Sequence, residues 1–393
     1  MSKKINDIYS DLTELIKKST KSKKKNLFLH NPYFDNKEHY YLKRCIKSTF
    51  VASAGEFIRK FEDSLKKITK SRDVITVING TVALKVCLEV LGIKKNDEVL
   101  VPSLTFVGTV NAIKHAGGNP HFIDTDSDTL GIDIKKLDSY LKKITIKKNG
   151  VIFNKQTGKK IFAMIPVHVF GKIGNMDELI KISKRYNFKV IEDAAEALGS
   201  FYKGVHAGNF GHLGILSFNG NKVITTGSGG AILCNSKKLS IKIRHLVSTA
   251  KVNHPWDFLH DEIGWNYKMN NLTSAVGQAQ IEKFKKIKKY KTKLKDRYKN
   301  NSKKFKNLIF SDEPKNCESN NWLNIIFIKR INLNDRNKIL NLLNKNGINC
   351  RPVWKLMHKL KMYKNSPKSN LSNAIKLEKS VICLPSSAEY GKN

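Results

Sequence analysis

Short apolar runs alternate with helical patterns from Val74 to about residue 250, and that alternation restricts the chain to few architectures. Val74-Ile75-Thr76-Val77-Ile78 reads as a strand, Asn79-Gly80 as a turn, and Thr81 to Leu91 as a helix that Gly92 stops. Val99-Leu100-Val101 is the next strand, and a helix from about Val107 to Ala116 ends at Gly117-Gly118. Phe122-Ile123, Ile161 to Val167, Val190-Ile191 and Ile215 to Phe218 extend the series, with a further helix near Asp177 to Tyr186. The pattern predicts an α/β fold with a mainly parallel central sheet covered on both faces. In such sheets ligands lie at the carboxyl ends of the strands, so the loops that follow the strands carry the chemistry.

After residue 250 the texture changes. Longer helical patterns, Thr273 to Lys299 and Asp335 to Lys345, flank a strand at Trp322 to Ile328. Three regions are expected: a polar leader over 1–26 with one helix from Ile5 to Lys18, a large domain over 27–250, and a smaller C-terminal α+β domain over 251–393. Forty per cent of the 393 residues are apolar and 9% aromatic, enough for a sizeable core, which excludes disorder throughout. No run approaches the roughly 18 apolar residues of a membrane span. The start, Met1-Ser2-Lys3-Lys4-Ile5-Asn6, lacks a signal peptide's apolar stretch, so a cytoplasmic protein without a membrane partner is expected. Cys45, Cys87, Cys234, Cys317, Cys350 and Cys383 are far apart, with no C-x-x-C pair and no His at ligand spacing. They read as reduced core residues, and no metal is expected.

Lys and Arg number 72 against 33 Asp and Glu, a net charge of +39. Such an excess is compatible with nucleic-acid binding through release of phosphate counterions. It is mostly lysine, however, and spread along the whole length, as a compositional bias over solvated faces would leave it. Lys17 to Lys25 and Lys283 to Lys306 are locally dense. In the second segment Phe284, Ile287, Tyr290 and Leu294 recur at helical spacing, with Lys285, Lys286, Lys288, Lys289, Lys291, Lys293 and Lys295 read as a basic outer face. No nucleic-acid partner is expected. The charge would instead help draw in an anionic substrate.

Three constellations sit at the ends of the expected strands. Asn79-Gly80-Thr81 opens a helix, whose unpaired N–H groups and positive dipole end suit an anion, although a plain helix cap has the same sequence. Ile191-Glu192-Asp193-Ala194-Ala195-Glu196 places carboxylates after an apolar strand, where a carboxylate is poorly solvated and wants a cationic partner. An Asp capping the next helix would leave the same pattern. Ser217-Phe218-Asn219-Gly220-Asn221-Lys222 puts an amine just past a strand, in a loop that continues Thr225-Thr226-Gly227-Ser228-Gly229-Gly230. A lysine so placed suits a Schiff-base nucleophile, whereas in so lysine-rich a chain a surface role is the default for any single one. The phosphate-loop pattern G-x-x-x-x-G-K-[ST] is absent.

Taken together, the chain resembles the pyridoxal-phosphate (PLP) dependent sugar aminotransferases of the DegT/DnrJ/StrS type, which have the fold type I aspartate-aminotransferase architecture. The markers are Asn79-Gly80-Thr81-x-Ala83-Leu84, Pro102-x-x-Thr105-Phe106, Glu192-Asp193-Ala194-Ala195, Ser217-Phe218-x-x-x-Lys222 and Gly264-x-Asn266-Tyr267, in that order between about Leu27 and Ser387. Ser48 to Gly55, Glu192 to Ser200, Thr249-Ala250-Lys251-Val252, His260 to Gly264 and Arg351-Pro352-Val353-Trp354-x-x-Met357-His358 are similar to the branch that aminates nucleotide-linked 4-keto-6-deoxy sugars on the way to legionaminic acid and related surface glycans.

The resemblance implies roles residue by residue. Lys222 matches the lysine that bonds covalently to the cofactor and then shuttles the proton. Asp193 matches the carboxylate that pairs with the pyridine nitrogen. Gly80 and Thr81 match the phosphate-binding turn, and Ser217 a hydroxyl that reaches the same phosphate. Phe106 matches the aromatic on the ring face. Asn266 matches an asparagine that reaches the phosphate from the neighbouring subunit, which implies a homodimer with shared active sites. Glu196 stands beside the cofactor's phenolic oxygen where the family often has Gln, so it is expected protonated or turned away. The implied reaction moves an amino group from an amino acid, L-glutamate, to the 4-keto carbon of a nucleotide sugar. A sugar dehydratase on the same fold is the first rival, and a lysine rather than histidine at 222 favours transamination. A non-catalytic PLP-binding protein and a nucleic-acid-binding protein are the remaining rivals. UDP and GDP carriers both stay open, as does the choice for His168, His358 and Arg351 between substrate contact and structural packing.

Overall fold

The computed structural model describes residues 3–392. Its centre is a seven-stranded sheet built from β1 (Asp73–Val77), β2 (Glu98–Pro102), β3 (Asn119–Ile123), β4 (Ile161–Met164), β5 (Lys189–Asp193), β6 (Leu213–Ser217) and β7 (Gly230–Cys234). The spatial order is β1-β7-β6-β5-β4-β2-β3. Neighbours from β6 through β3 pair parallel, while β7 runs antiparallel to both β1 and β6. The α/β expectation therefore holds. β2 and β7 are buried at every residue, as strands covered by helices on both faces must be.

The strand β7 does not stand out in the sequence, because its apolar run Ala231-Ile232-Leu233 emerges directly from the glycine-rich segment. Its position matters. The chain leaves β6, makes the loop 218–229 and returns as β7, so Lys222 is carried on a connection pinned at both ends by paired strands.

The stretch Thr273 to Lys299, expected as one helix, falls in two: Asn271–Glu282 and Phe284–Ser302, separated at Lys283. The first packs beneath the helices Asn36–Lys47 and Glu56–Thr69. The second packs against the N-terminal helix Lys3–Thr20, which is less polar in its setting than its composition suggests. Ile5, Ile8, Leu12, Leu15 and Ile16 recur at helical spacing and are buried with Leu294, Tyr298, Ile326, Ile339, Leu343 and Ile382 in a second core cluster. Each such side chain contributes about 1.5–3 kcal/mol by leaving water. That cluster also takes one face of an antiparallel sheet ordered β8 (Leu308–Phe310), β9 (Asn324–Ile328), β11 (Val381–Leu384), β10 (Arg351–Pro352).

One residue departs from the expected basic helix. The sequence pattern places Lys291 on the solvated face, but it lies four residues from Ile287 and three from Leu294, on the inward stripe, and is 1% exposed. The six cysteines are unpaired, and five are buried. Among the described residues no helix is long and apolar enough to cross a membrane.

Candidate active site

The carboxyl ends of β5 and β6 and the first turn of the helix Gly80–Val90 converge on a cavity of about 200 Å³. Its walls include Gly80, Thr81, Phe106, Asp193, Glu196, Ser217 and Lys222. Seven of the eight residues singled out in the sequence thus meet at one place, although they span 143 positions from Gly80 to Lys222 counted inclusively. Asn266 is not among them. It is exposed, bridged to Ser248 on the segment that leads into the helix Asn271–Glu282, and the stretch before it exposes Trp256 (81%), Phe258 and Ile263 (93%).

Strand alternation sorts the two carboxylates at the end of β5. Glu192 turns away from the cavity and is fully buried. Its oxygens accept from the N–H groups of Gly208 (2.8 Å), Phe210 (2.6 Å) and Gly211 (2.7 Å), and His168 Nε2 lies 2.9 Å away. His168 is therefore a satisfied core histidine. Asp193 faces the cavity, where its Oδ2 accepts a 2.7 Å hydrogen bond from Thr109 Oγ1 and its Oδ1 one from the Ala195 N–H at 3.1 Å. Thr105 Oγ1 is 2.9 Å from Thr109 Oγ1 and continues the chain of hydroxyls. Thr109 carries no marker in the sequence, and Thr105 stands there only as part of a motif. A signal was present: Thr109 sits one helical turn after Thr105, on the helix that Phe106 opens.

The anion end of the cavity is built by backbone. Asn79 caps the helix by accepting from Val82 N–H through its side chain, at 2.9 Å. The N–H groups of Gly80 and Thr81, at the first two helical positions, have no intrahelical acceptor and point out of the helix start. β7 runs against this turn only because residue 230 is glycine: a Cβ there would stand 2.7 Å from Gly80 N.

Lys222 Nζ donates to Glu196 Oε1 at 3.1 Å and lies 4.4 Å from the centroid of the Trp322 ring. Glu196 is buried, and burial raises its carboxyl above the ordinary value despite the Lys222 charge and a hydrogen bond from Phe170 N–H at 2.8 Å. It is neither turned away nor alone. Trp322, which stands in no motif, and Trp354, part of the 351–358 motif without an assigned role, also line the cavity; Trp354 stacks on Phe170 at 5.3 Å and approaches Phe106 edge-on at 6.4 Å. A second cavity of about 620 Å³ shares Asn221, Trp322 and Trp354 with the first and is walled further out by His30, Asn31, Arg351 and Lys355. Arg351 donates to Asn344 Oδ1 at 2.6 Å on its rim. His358 Nδ1 is 2.7 Å from Ser103 Oγ, outside both cavities, with its imidazole pushed down by burial and by Lys359 and Lys368.

The donor set fits pyridoxal phosphate by its chemistry. Paired N–H groups and the hydroxyls of Thr81 and Ser217 suit a phosphate, an oriented carboxylate at Asp193 suits a pyridinium, and a partly buried amine at Lys222 suits a carbonyl carbon. The space is kept open at its centre by Gly108, where a Cβ would lie 2.8 Å from Thr81 Oγ1 and 3.0 Å from the Phe106 ring.

Comparison with known proteins agrees. The DegT/DnrJ/EryC1/StrS aminotransferase family model matches residues 32–393. The chain is 35% identical over 336 residues to GDP-perosamine synthase of Escherichia coli O157:H7, covering 85% of this chain and 86% of that protein. It is also 35% identical over 234 residues to the UDP-4-amino-4,6-dideoxy-N-acetyl-beta-L-altrosamine transaminase of Campylobacter jejuni, covering 59% of this chain and 58% of the relative. Among solved structures, PseC of Helicobacter pylori, an aminotransferase involved in the biosynthesis of pseudoaminic acid, superposes with a TM-score of 0.84 at 22% identity, over 94% of this chain and 96% of that one. At that identity the last likeness speaks to the fold.

Proposed function

The chain belongs to the DegT/DnrJ/EryC1/StrS aminotransferase family, and on that premise we propose that it moves an amino group from L-glutamate to the 4-keto carbon of a nucleotide-linked 4-keto-6-deoxy sugar, UDP-2-acetamido-2,6-dideoxyhexos-4-ulose. The product would feed a legionaminic-type or related nonulosonic acid of a surface glycan, in the cytoplasm. PLP is the cofactor, and the enzyme is a nucleotide-sugar aminotransferase. The observation that carries this reading is the meeting of Lys222, Asp193 and the Gly80–Thr81 turn in one cavity.

Each residue then has a task. The Gly80 and Thr81 N–H groups, with Thr81 and Ser217 hydroxyls, would hold the phosphate, and Phe106 would cover the ring. Asp193, fixed by Thr109 and by Ala195 N–H, would keep a proton on the pyridine nitrogen. The bound cofactor supplies an electron sink for the pair released when a carbon next to nitrogen loses its proton. Lys222 Nζ would take that proton from the α-carbon of the amino acid and, in the second half of the cycle, deliver one to C4 of the sugar. Across the cycle the amino acid becomes a 2-oxo acid and the sugar's carbonyl oxygen is replaced by nitrogen. Trp322 and Trp354 would limit water at the amine. Asn266 would act from a second copy, in a homodimer; its exposure and the apolar side chains exposed on the stretch before it support that arrangement.

A GDP-linked acceptor is the second reading, favoured by the 35% identity to GDP-perosamine synthase over 85% of the chain. The test is an absorption spectrum of the purified protein with PLP. A visible band that L-glutamate converts to a shorter-wavelength band supports the first half-reaction, and incubation with UDP-linked and GDP-linked 4-keto sugars then separates the carriers. A band that ignores every amino donor would overturn the assignment.

A further inference from the structure

Glu196 stands on the turn after β5 and Lys222 on the loop after β6, so the two loops must be held in step for the pair to form. One short segment, Ser319 to Trp322, just before β9, is bonded to both. Asn320 is fully buried, and both ends of its side-chain amide are committed. Its Nδ2 donates to Glu196 O at 2.8 Å and to Leu198 O at 3.0 Å, and its Oδ1 accepts from Trp322 N–H at 2.9 Å. Carbonyl oxygens only accept, so the amide fits only this way round. The Asn320 N–H donates to Ser200 Oγ at 2.9 Å on the same turn. Gly171, at φ +84°, leaves room for the amide, because a Cβ there would overlap Asn320 Oδ1.

Two residues on, Trp322 is buried and reaches the other loop. Its Nε1–H donates to Asn221 O at 2.7 Å, on the residue before Lys222, and its ring lies 4.4 Å from Lys222 Nζ. The carbonyl of Trp322 accepts in turn from Lys291 Nζ at 3.0 Å. Lys222 needs such support, because a lysine has a long flexible stem and this one stands on a loop, a less exact platform than a strand or helix. A reacting group displaced by about 1 Å costs about a hundredfold in rate.

We propose that Trp322 is a positioning residue for Lys222: its indole N–H fixes the Asn221 carbonyl, its ring backs the amine, and Asn320 locks the same segment to the turn that carries Glu196. The proposal rests on Lys222 acting as assigned above. Trp322 then affects both halves of the cycle alike, since one nitrogen moves the proton in each. A ring that only walled the second cavity, which Trp322 also lines, would affect the sugar nucleotide alone.

The test compares Trp322→Phe, which keeps a ring beside the amine and loses the N–H, with Trp322→Leu, which loses both. In the PLP-loaded full chain, Trp322→Phe should lower kcat with L-glutamate and with UDP-linked or GDP-linked 4-keto-6-deoxy sugars by about three- to tenfold, the scale of one uncharged hydrogen bond. Trp322→Leu should lower it by about ten- to a hundredfold. KM for either substrate should change little. A second readout is independent of turnover: PLP is added to the cofactor-free chain, its covalent attachment is trapped with borohydride, and Lys222 is identified by peptide mass spectrometry. Attachment should slow in the same order, with Trp322→Leu slower than Trp322→Phe. Unchanged kcat and attachment in Trp322→Leu, or an effect confined to the KM of the sugar nucleotide, overturns the proposal. If the wild type attaches PLP but aminates neither sugar nucleotide, the functional reading fails instead, and the attachment rates still decide the role of Trp322. Should Trp322→Leu not fold, Trp322→Phe decides alone.

Discussion

Lys222 Nζ and Glu196 Oε1 lie 3.1 Å apart, joining the loop after β6 to the turn after β5 across the floor of the cavity. The second oxygen of Glu196 is committed to Phe170 N–H, on a residue held at φ +58°. A non-glycine residue in that region is strained, and the carboxylate hydrogen bond helps to hold it there. The amine is therefore oriented from below by a carboxylate and from the side by the Trp322 ring.

Replacing the amine removes the group assigned to both proton transfers. Lys222→Ala should lower amino transfer by about 10⁴-fold, the upper range for a lost acid–base group. Single-turnover assays with L-glutamate, read by absorbance, would measure it; transaminase rates within about threefold of the wild type would refute the role.

Thr109 donates to Asp193 from the cavity wall. Thr109→Val removes a hydrogen bond to a charged group, on the order of 1.5–3 kcal/mol, which corresponds to about 10- to 100-fold in kcat. Cofactor titration should show only a modest loss of affinity. An equal fall in KM-dominated and kcat-dominated conditions with normal spectra would point away from a role through Asp193.

Gly108 tests the shape of the cavity separately from the stability of the helix. Alanine is a better helix former than glycine by about 1 kcal/mol, and its Cβ contacts cost a similar amount, so Gly108→Ala should move the melting temperature of the cofactor-free protein little. Its Cβ would press on Thr81 Oγ1 and the Phe106 ring, and PLP affinity should fall about tenfold or more. Calorimetry and cofactor titration give the two readouts, and tight PLP binding by the variant would show that these walls yield freely.

Glu98, at the start of β2 and outside both cavities, offers a pH test of stability. It is buried and accepts from Asn154 and Thr157 while His121 Nδ1 lies 2.7 Å away. Burial opposes its ionisation, but His121, Thr157 and Asn154 together hold its carboxyl below the ordinary value of 4.5. A depressed carboxyl stabilises the fold above its unfolded pKa and loses that contribution as pH falls through the folded one. The wild type should therefore lose stability below about pH 4.5 more steeply than Glu98→Gln. At pH 7 the variant should be less stable by about 2 kcal/mol, read from urea unfolding.

Much of the site is legible in the chain itself. Asn79-Gly80-Thr81, Asp193 and Ser217-x-x-x-x-Lys222 each follow an apolar strand, so a parallel sheet had to bring them to one edge. Less can be read where a residue's setting depends on distant partners. Lys291 reads as one basic residue in a lysine-rich helix, and only the packing of Trp322, Ser386 and His30 around it sets it apart. Glu192 and Asp193 are adjacent carboxylates in the sequence, yet alternation sends one to a buried hub of N–H groups and the other to the cavity. Thr109 carries no motif of its own.

The amino-acid sequence alone determined the alternation of strands and helices, the turns that end them, and the residues able to hold an anion, a ring nitrogen and a carbonyl carbon, because these follow from local periodicity and side-chain chemistry. Tertiary structure alone decided which of 72 basic side chains lies buried against a histidine, which carboxylate faces the cavity, and that Glu196 meets Lys222, because each depends on contacts between residues far apart in the chain.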